Sequence, residues 1–109
     1  MHKYKICVYA ISKNESKNVD RWVNSMKEAD EIYVLDTGSN DDTVKLLKEK
    51  GVHVFSKIIN PWRFDVARNE SLKLVPEDTD IYVCTDLDEI FLPGWREKIE
   101  DAWNDDTTA

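Results

Sequence analysis

Apolar runs of five to seven residues, rich in β-branched and aromatic side chains, alternate with amphipathic helical segments along the chain. Runs of this length and composition are typical of buried parallel strands. The predicted strands are Lys5–Ile11, Glu31–Asp36, Val52–Ser56 and Ile81–Thr85. Because strands that alternate with helices are joined by right-handed crossovers, we expect one mainly parallel sheet with helices on both faces. The predicted fold is a single Rossmann-like α/β domain over residues 1–109, equivalent to half of a doubly wound sheet, with strand order 3-2-1-4.

Helical segments follow each predicted strand. In three of them apolar residues recur at helical spacing, which predicts one buried stripe per helix. The stripes are Val19, Trp22, Val23 and Met26, then Phe64, Ala67, Leu72 and Val75, then Trp95, Ile99, Ala102 and Trp103. The remaining helix, Thr43–Lys50, is expected to be capped by Asp41 or Asp42 and to end at Gly51.

An acidic cluster, Asp86-Leu87-Asp88-Glu89, directly follows the fourth predicted strand. Open α/β sheets bind their ligands at the carboxyl ends of the strands. Two carboxylates one residue apart can both turn toward one divalent cation, and their oxygen atoms suit Mg²⁺ or Mn²⁺. In a chain this acidic, a solvated acidic loop is the alternative.

Polar residues also follow the first two predicted strands. Asp36 ends the second strand, and Ser12-Lys13-Asn14-Glu15 follows the first. Parallel strands bring these groups to the same edge of the sheet as the acidic cluster. Asp36 is placed either to accept a hydrogen bond from a ligand or to stabilise the turn that follows it, and the sequence favours neither. Ser39 and Asp41 are expected to stabilise the loop and the helix cap.

Arg68 lies four residues from both Phe64 and Leu72, so it is expected to share or border the buried stripe of its helix. A buried charge needs a partner. That partner is either an anionic ligand or one of the strand-end aspartates.

The formal net charge of −7 argues against a nucleic-acid partner, because binding to phosphates needs a basic surface. A metal bridge to an anionic ligand fits the charge better. The sequence has neither a G-x-x-x-x-G-K-[ST] phosphate loop nor a G-x-G-x-x-G fingerprint.

Cys7 and Cys84 both fall inside predicted strands, where a reduced thiol acts as a small apolar side chain. Two such cysteines do not make a disulfide framework, so a reduced, cytoplasmic location is expected. The sequence contains no long apolar span and no secretory segment at its amino terminus, which predicts a soluble protein without a transmembrane segment.

Four motifs occur in a specific order: S-K-N-E after the first strand, L-D-T-G-S-N-D-D-T after the second, then W-R-F-D-V-A-R-N-E-S-L, and D-L-D-E after the fourth. Together they resemble the amino-terminal, nucleotide-sugar-binding half of a family 2 glycosyltransferase with the GT-A fold. The resemblance runs from Lys5 to about Trp103. Any one motif alone would be weak.

The resemblance implies a role for each matching residue. Asp36 matches the aspartate that hydrogen-bonds the nucleotide base. Ile11, Ser12 and Glu15 match the positions that line the nucleoside. Arg68 matches an arginine that contacts the nucleotide.

Asp86 and Asp88 match the D-x-D pair of this family. The resemblance implies that Asp88 binds the metal and that Asp86 contacts the ribose or the water shell of the metal. One departure lies at Thr37, where the family frequently has a second acid.

The implied function is the donor-binding half of a glycosyltransferase, which binds a UDP- or GDP-sugar through Mn²⁺ or Mg²⁺ for transfer to an unknown acceptor. The catalytic base of the family follows far beyond the D-x-D pair, so it is expected outside this chain, and the 109 residues alone are expected to be an inactive part of a longer protein. A noncatalytic nucleotide- or cation-binding module that uses the same edge is the alternative. A phosphatase fits less well, because Ile90 stands where D-x-D-x-[TV] needs Thr or Val.

Overall fold

The computed structural model describes residues 4–102, which contain one four-stranded parallel sheet. The strands are β1 (Ile6–Ser12), β2 (Glu31–Asp36), β3 (His53–Ser56) and β4 (Ile81–Cys84). The helices are α1 (Ser16–Met26), α2 (Thr43–Glu49), α3 (Phe64–Leu72) and α4 (Trp95–Ala102). The order across the sheet is β3-β2-β1-β4, which confirms the predicted α/β fold and its strand order.

The larger core lies on one face of the sheet. The whole predicted stripe of α1 is buried there, and Trp22 is completely enclosed. It packs with alternate residues of the central strand, Ile6, Val8 and Ala10, and with Trp95 of α4. Successive side chains of a strand point to opposite faces, so Cys7 and Tyr9 belong to the smaller cluster on the other face, with Tyr33 and Val75.

The predicted stripe of α3 is wrong in two respects. The helix ends at Leu72 rather than Val75, and its buried residues are Ala67 and Ser71. Phe64 and Leu72 are 50% and 39% exposed. Residues 64, 68 and 72 form one row at four-residue spacing, and residues 67 and 71 form the neighbouring row, so the helix is rotated by one position from the expected orientation. This rotation also places Arg68 on the exposed surface.

The fourth strand was expected to be buried, but β4 lies at the edge of the described sheet and pairs only with β1. Ile81 is buried, whereas Tyr82 and Cys84 are exposed. The expectation of a buried thiol therefore holds for Cys7 and fails for Cys84. Trp103, which was assigned to the stripe of the last helix, lies outside the described residues. None of the helices within residues 4–102 is long and apolar enough to cross a membrane.

Arg96 fastens α4 to the amino-terminal edge of the sheet. Its side chain is 4% exposed and donates hydrogen bonds to the Glu28 carbonyl (2.7 Å), the Tyr4 carbonyl (2.6 Å) and Asp30 Oδ2 (2.9 Å). The Glu28 carboxylate accepts hydrogen bonds from the Gly94 and Arg96 amides at 2.8 and 3.1 Å, so it caps the first turn of α4 from a distant part of the chain. The segment that carries the acidic cluster is thus anchored at its far end.

Arg96→Ala should lower the free energy of unfolding by about 3 kcal/mol, because it leaves buried acceptors and an acidic partner without their donor. Chemical denaturation of the purified chain measures this change. Lys73→Ala removes an exposed ion pair to Glu70 and serves as the control, with an expected loss of about 0.5 kcal/mol or less. A loss of unfolding free energy below about 1 kcal/mol for Arg96→Ala would contradict this anchoring role of Arg96.

Candidate functional site

The buried carboxylate of Asp36 joins the loops that follow β1 and β2. The residue is 2% exposed. Oδ1 accepts hydrogen bonds from the hydroxyls of Ser12 (2.8 Å) and Ser39, and Oδ2 accepts from the amides of Gly38 (3.1 Å) and Ser39 (2.8 Å). All of these donors lie within the protein, so a ligand bond at this carboxylate would replace one of them.

The hydrogen bonds also control the charge of Asp36. Burial by itself would raise the pKa of this carboxyl group, but the bonds from Ser39, Ser12 and Gly38 outweigh that effect and hold the pKa below its ordinary value of 3.8. Asp36 is therefore a stable carboxylate at neutral pH.

Further hydrogen bonds fix the two loops to each other. Asn14 has a positive φ of 53°. Its side-chain oxygen accepts a hydrogen bond from the Asn40 amide at 2.7 Å, and its own amide donates a hydrogen bond to Ser39 Oγ at 2.8 Å. Asp41 accepts bonds from the hydroxyl and the amide of Thr43 at the start of α2, and the hydroxyl bond is the main reason that the pKa of Asp41 is lowered to about 2. The structure thus gives Ser39 and Asp41 the loop and cap roles that were expected.

The acidic cluster forms a tight loop at the end of β4. Leu87 is 2% exposed and anchors the loop in the core, while Asp86 and Asp88 on either side of it are exposed. Glu89 turns back and accepts hydrogen bonds from the Asp86 amide (2.9 Å) and the Thr85 hydroxyl (3.3 Å), so its carboxylate closes the turn.

The charge of Asp86 is poorly compensated. Partial burial raises its pKa, and the nearby charges of Glu89 and Asp88 raise it further, while Arg68 lowers it. A raised carboxyl pKa of this origin marks a place where a cation would be stabilised.

A cavity of about 530 Å³ connects these loops at the carboxyl ends of the strands. Four of the predicted site residues line it, namely Ile11, Ser12, Glu15 and Asp86. The lining also includes a group of apolar residues, Ile58, Ile59, Trp62 and Phe64. Trp62 is 54% exposed and therefore does not belong to the core.

The remaining predicted site residues, Asp36, Arg68 and Asp88, are not among the residues that line the cavity. Asp36 sits next to Thr37 and Gly38, which do line it. Asp88 is exposed on the acidic loop. Within residues 4–102 no three or more histidine, cysteine, aspartate or glutamate side chains are grouped to hold a metal ion.

Arg68 differs from its prediction. Its side chain is exposed, and its guanidinium carbon lies 4.6 Å from the centroid of the Phe64 ring. In the described part of the chain it forms none of the ion pairs that were considered for it. It does lie close enough to Asp86 to lower the pKa of that residue.

Sequence reasoning missed the contributions of Phe64, Glu89 and Glu28. The spacing of four residues between Phe64 and Arg68 was a usable signal, because residues at this spacing are neighbours on a helix. The role of Glu28 depends on its contacts with the amides of Gly94 and Arg96, which follow it by 66 and 68 positions in the chain. No local sequence pattern indicates contacts over such a separation.

The sequence profile of glycosyl transferase family 2 matches residues 7–109, which is nearly the whole chain. The chain belongs to this family.

Several curated relatives are similar. An uncharacterised glycosyltransferase of Rickettsia bellii is 31% identical over 97 residues, which cover 88% of this chain and 32% of the relative. The glucosyl-3-phosphoglycerate synthase of Petrotoga mobilis is 36% identical over 96 residues, which cover 77% of this chain and 30% of the relative. An uncharacterised glycosyltransferase of Rickettsia prowazekii is 44% identical over 59 residues, 53% of this chain and 19% of the relative.

Among solved structures, glucosyl-3-phosphoglycerate synthase of Mycobacterium tuberculosis in complex with UDP aligns with a TM-score of 0.67 and 28% identity over 81% of this chain and 35% of the synthase. The same enzyme in complex with Mn²⁺, UDP and glucosyl-3-phosphoglycerate aligns with a TM-score of 0.66 and 28% identity over 79% of this chain and 34% of the synthase. The chain thus spans about a third or less of the length of these relatives.

Asp36→Asn should lower the free energy of unfolding by about 2 kcal/mol at pH 7, since charge-assisted hydrogen bonds from three residues are weakened. Because the folded pKa lies below the ordinary value, ionised Asp36 stabilises the protein above that value, and this contribution is lost as the pH falls through the folded pKa. The stability difference between the two proteins should therefore shrink below about pH 4.

Denaturation curves between pH 7 and pH 2 measure this difference. Asp42→Asn is the control, because Asp42 stands at the start of α2 but its side chain caps no amide there. A difference that stays constant down to pH 2 would contradict the role given to the Asp36 carboxylate.

Proposed function

We propose that these residues form the donor-binding part of a glycosyltransferase, and that the cavity at the carboxyl ends of the strands binds a uridine diphosphate sugar. The observation that carries the proposal is that one cavity joins the Ser12–Glu15 loop, the backbone next to Asp36, and Asp86 of the acidic loop. Membership of glycosyl transferase family 2 supports it. The complexes of the mycobacterial synthase with UDP and UDP-glucose favour uridine over guanosine.

The residues that line the cavity suit both parts of such a donor. Ser12, Thr37 and Gly38 offer hydrogen-bonding groups, and Ile58, Ile59 and Trp62 offer apolar surface, as a nucleoside requires. The carboxylate of Asp86 repels a diphosphate unless a cation lies between them.

The carboxylates present fit Mn²⁺ or Mg²⁺ as the cation. Mg²⁺ is commonly bound by one or two carboxylates together with substrate phosphates, rather than by a complete cage of protein ligands. Asp88 and Asp86 would supply those carboxylates, and the lack of a larger ligand cluster within residues 4–102 agrees with a site that the donor completes. The mycobacterial synthase has been solved in complexes with both Mn²⁺ and Mg²⁺. When bound, the ion would offset the negative charge of the departing diphosphate.

The residues of this chain would then bind and orient the donor. Ile11, Ser12 and Glu15 would line the nucleoside, and Arg68 would add positive charge near the diphosphate. The base that activates the acceptor is not assigned to this chain. Glu89 closes the acidic turn, and the Asp36 carboxylate already accepts hydrogen bonds on both oxygens.

Asp88→Ala should weaken UDP binding in the presence of Mn²⁺ by about tenfold or more, equivalent to about 1.4 kcal/mol, while the stability of the fold is kept or increased. The stability should not fall because the substitution relieves charge repulsion with Asp86. Calorimetric titration with UDP, with and without Mn²⁺, measures the affinity.

Asp101→Ala provides the control, because it removes the same charge from an exposed position of α4 outside the cavity. Absence of any heat from the unsubstituted, folded chain with UDP and either metal would overturn the proposal. Asp88→Ala that unfolds the domain would show instead that the residue is structural.

A further inference from the structure

We propose that Phe64 is a positioning residue that holds the guanidinium of Arg68 at the rim of the cavity, where it can meet the donor diphosphate. The inference rests on the proposed function and names a residue that acts on the donor through a second residue. It also explains why a phenylalanine stands half exposed at the start of α3.

Phe64 and Arg68 form a side-chain pair on one face of α3. Phe64 is the first residue of α3, and Arg68 follows one helical turn later on the same face. The guanidinium carbon lies 4.6 Å from the ring centroid, which is within the range of a cation–π interaction. Phe64 also lines the cavity, so the ring connects Arg68 to the wall of the site.

The charge of Arg68 lies close to acidic residues without forming an ion pair in the described part of the chain. Arg68 lies close enough to the acidic loop to lower the pKa of Asp86. That loop carries three carboxylates, those of Asp86, Asp88 and Glu89. Nevertheless, within residues 4–102 the contact found for its guanidinium is the Phe64 ring rather than a carboxylate. A guanidinium held on an aromatic face keeps its N–H donors free, and those donors match the oxygen atoms of a phosphate.

Phe64 does not belong to either hydrophobic core cluster of the described residues. The buried residues of α3 are Ala67 and Ser71, and Phe64 is 50% exposed. Half of the ring surface is therefore left available, and its described ring contact is with Arg68. Holding Arg68 in advance reduces the side-chain entropy that binding would otherwise cost.

The test compares UDP with uridine in the chain and in Phe64→Leu, by NMR titration with Mg²⁺ held constant. Leucine keeps an apolar side chain but has no ring to hold the cation. Phe64 also lines the cavity, so a loss of packing would act on both ligands. We expect Phe64→Leu to raise the Kd of UDP by about two- to fivefold more than it raises the Kd of uridine, which is the range of an exposed cation–π contact. Phe64→Tyr keeps the ring and should keep the affinity for UDP.

A double-mutant cycle separates positioning from direct contact. In an Arg68→Ala background, Phe64→Leu should no longer affect UDP more than uridine, because the difference between the two ligands acts through Arg68. Leu72→Ala, which removes exposed apolar surface from the other end of the same helix, is the matched control and should not change the affinity.

Each remaining outcome contradicts the inference. If Phe64→Leu weakens uridine and UDP equally, or still weakens UDP more than uridine in the Arg68→Ala background, then Phe64 is a direct contact or a packing residue. If it changes neither Kd while the chain binds UDP, the positioning role is wrong and the proposed function stands. If the unsubstituted chain does not bind UDP, the proposed function falls, and this inference falls with it.

Discussion

The carboxylate of Asp36 determines how the loops after β1 and β2 can fold. A buried charge is tolerated only when it is fully hydrogen-bonded, and this one draws its donors from Ser12 on β1 and from Gly38 and Ser39 beyond β2. The backbone of the second loop is therefore wrapped around a fixed point, and the amide of Thr37 returns to the Ser12 carbonyl at 2.9 Å. Satisfying this one charge leaves the two loops few alternative conformations, and Ser12, Thr37 and Gly38 of these loops line the cavity.

The acidic loop beyond β4 has the opposite design. Its backbone is fixed by the buried side chain of Leu87 and by the carboxylate of Glu89, whereas the carboxylates of Asp86 and Asp88 are exposed. The loops around the cavity thus carry one aspartate that is hydrogen-bonded within the protein and two whose side chains are exposed. The first kind of carboxylate gives shape to a site, and the second kind leaves room for a cation and an anionic ligand.

The fold was readily predicted because its signals are local and agree with each other. The bounds of β2 and the buried stripe of α1 follow from composition and periodicity, and the strand order follows from the doubly wound arrangement that alternating strands and helices predict. Orientation was less predictable for α3, where two neighbouring rows of residues, one with Phe64 and one with Ala67, both contain apolar side chains. The burial expected for Arg68 was wrong, since the structure places it on the surface. The anchoring of α4 by Arg96 could not be predicted from the sequence, because the hydrogen-bond partners of Arg96 come from segments that only the folded chain brings together.

The position of β4 at the edge of the described sheet gives the two thiols of this chain very different accessibility. Cys7 is fully enclosed, and burial raises its pKa, so it should react slowly with thiol reagents. Cys84 is exposed at the last position of β4, two residues before Asp86. A fluorescent or spin label would therefore attach selectively beside the acidic loop without any engineered cysteine. The chain carries its own attachment point for a reporter of events at the mouth of the cavity.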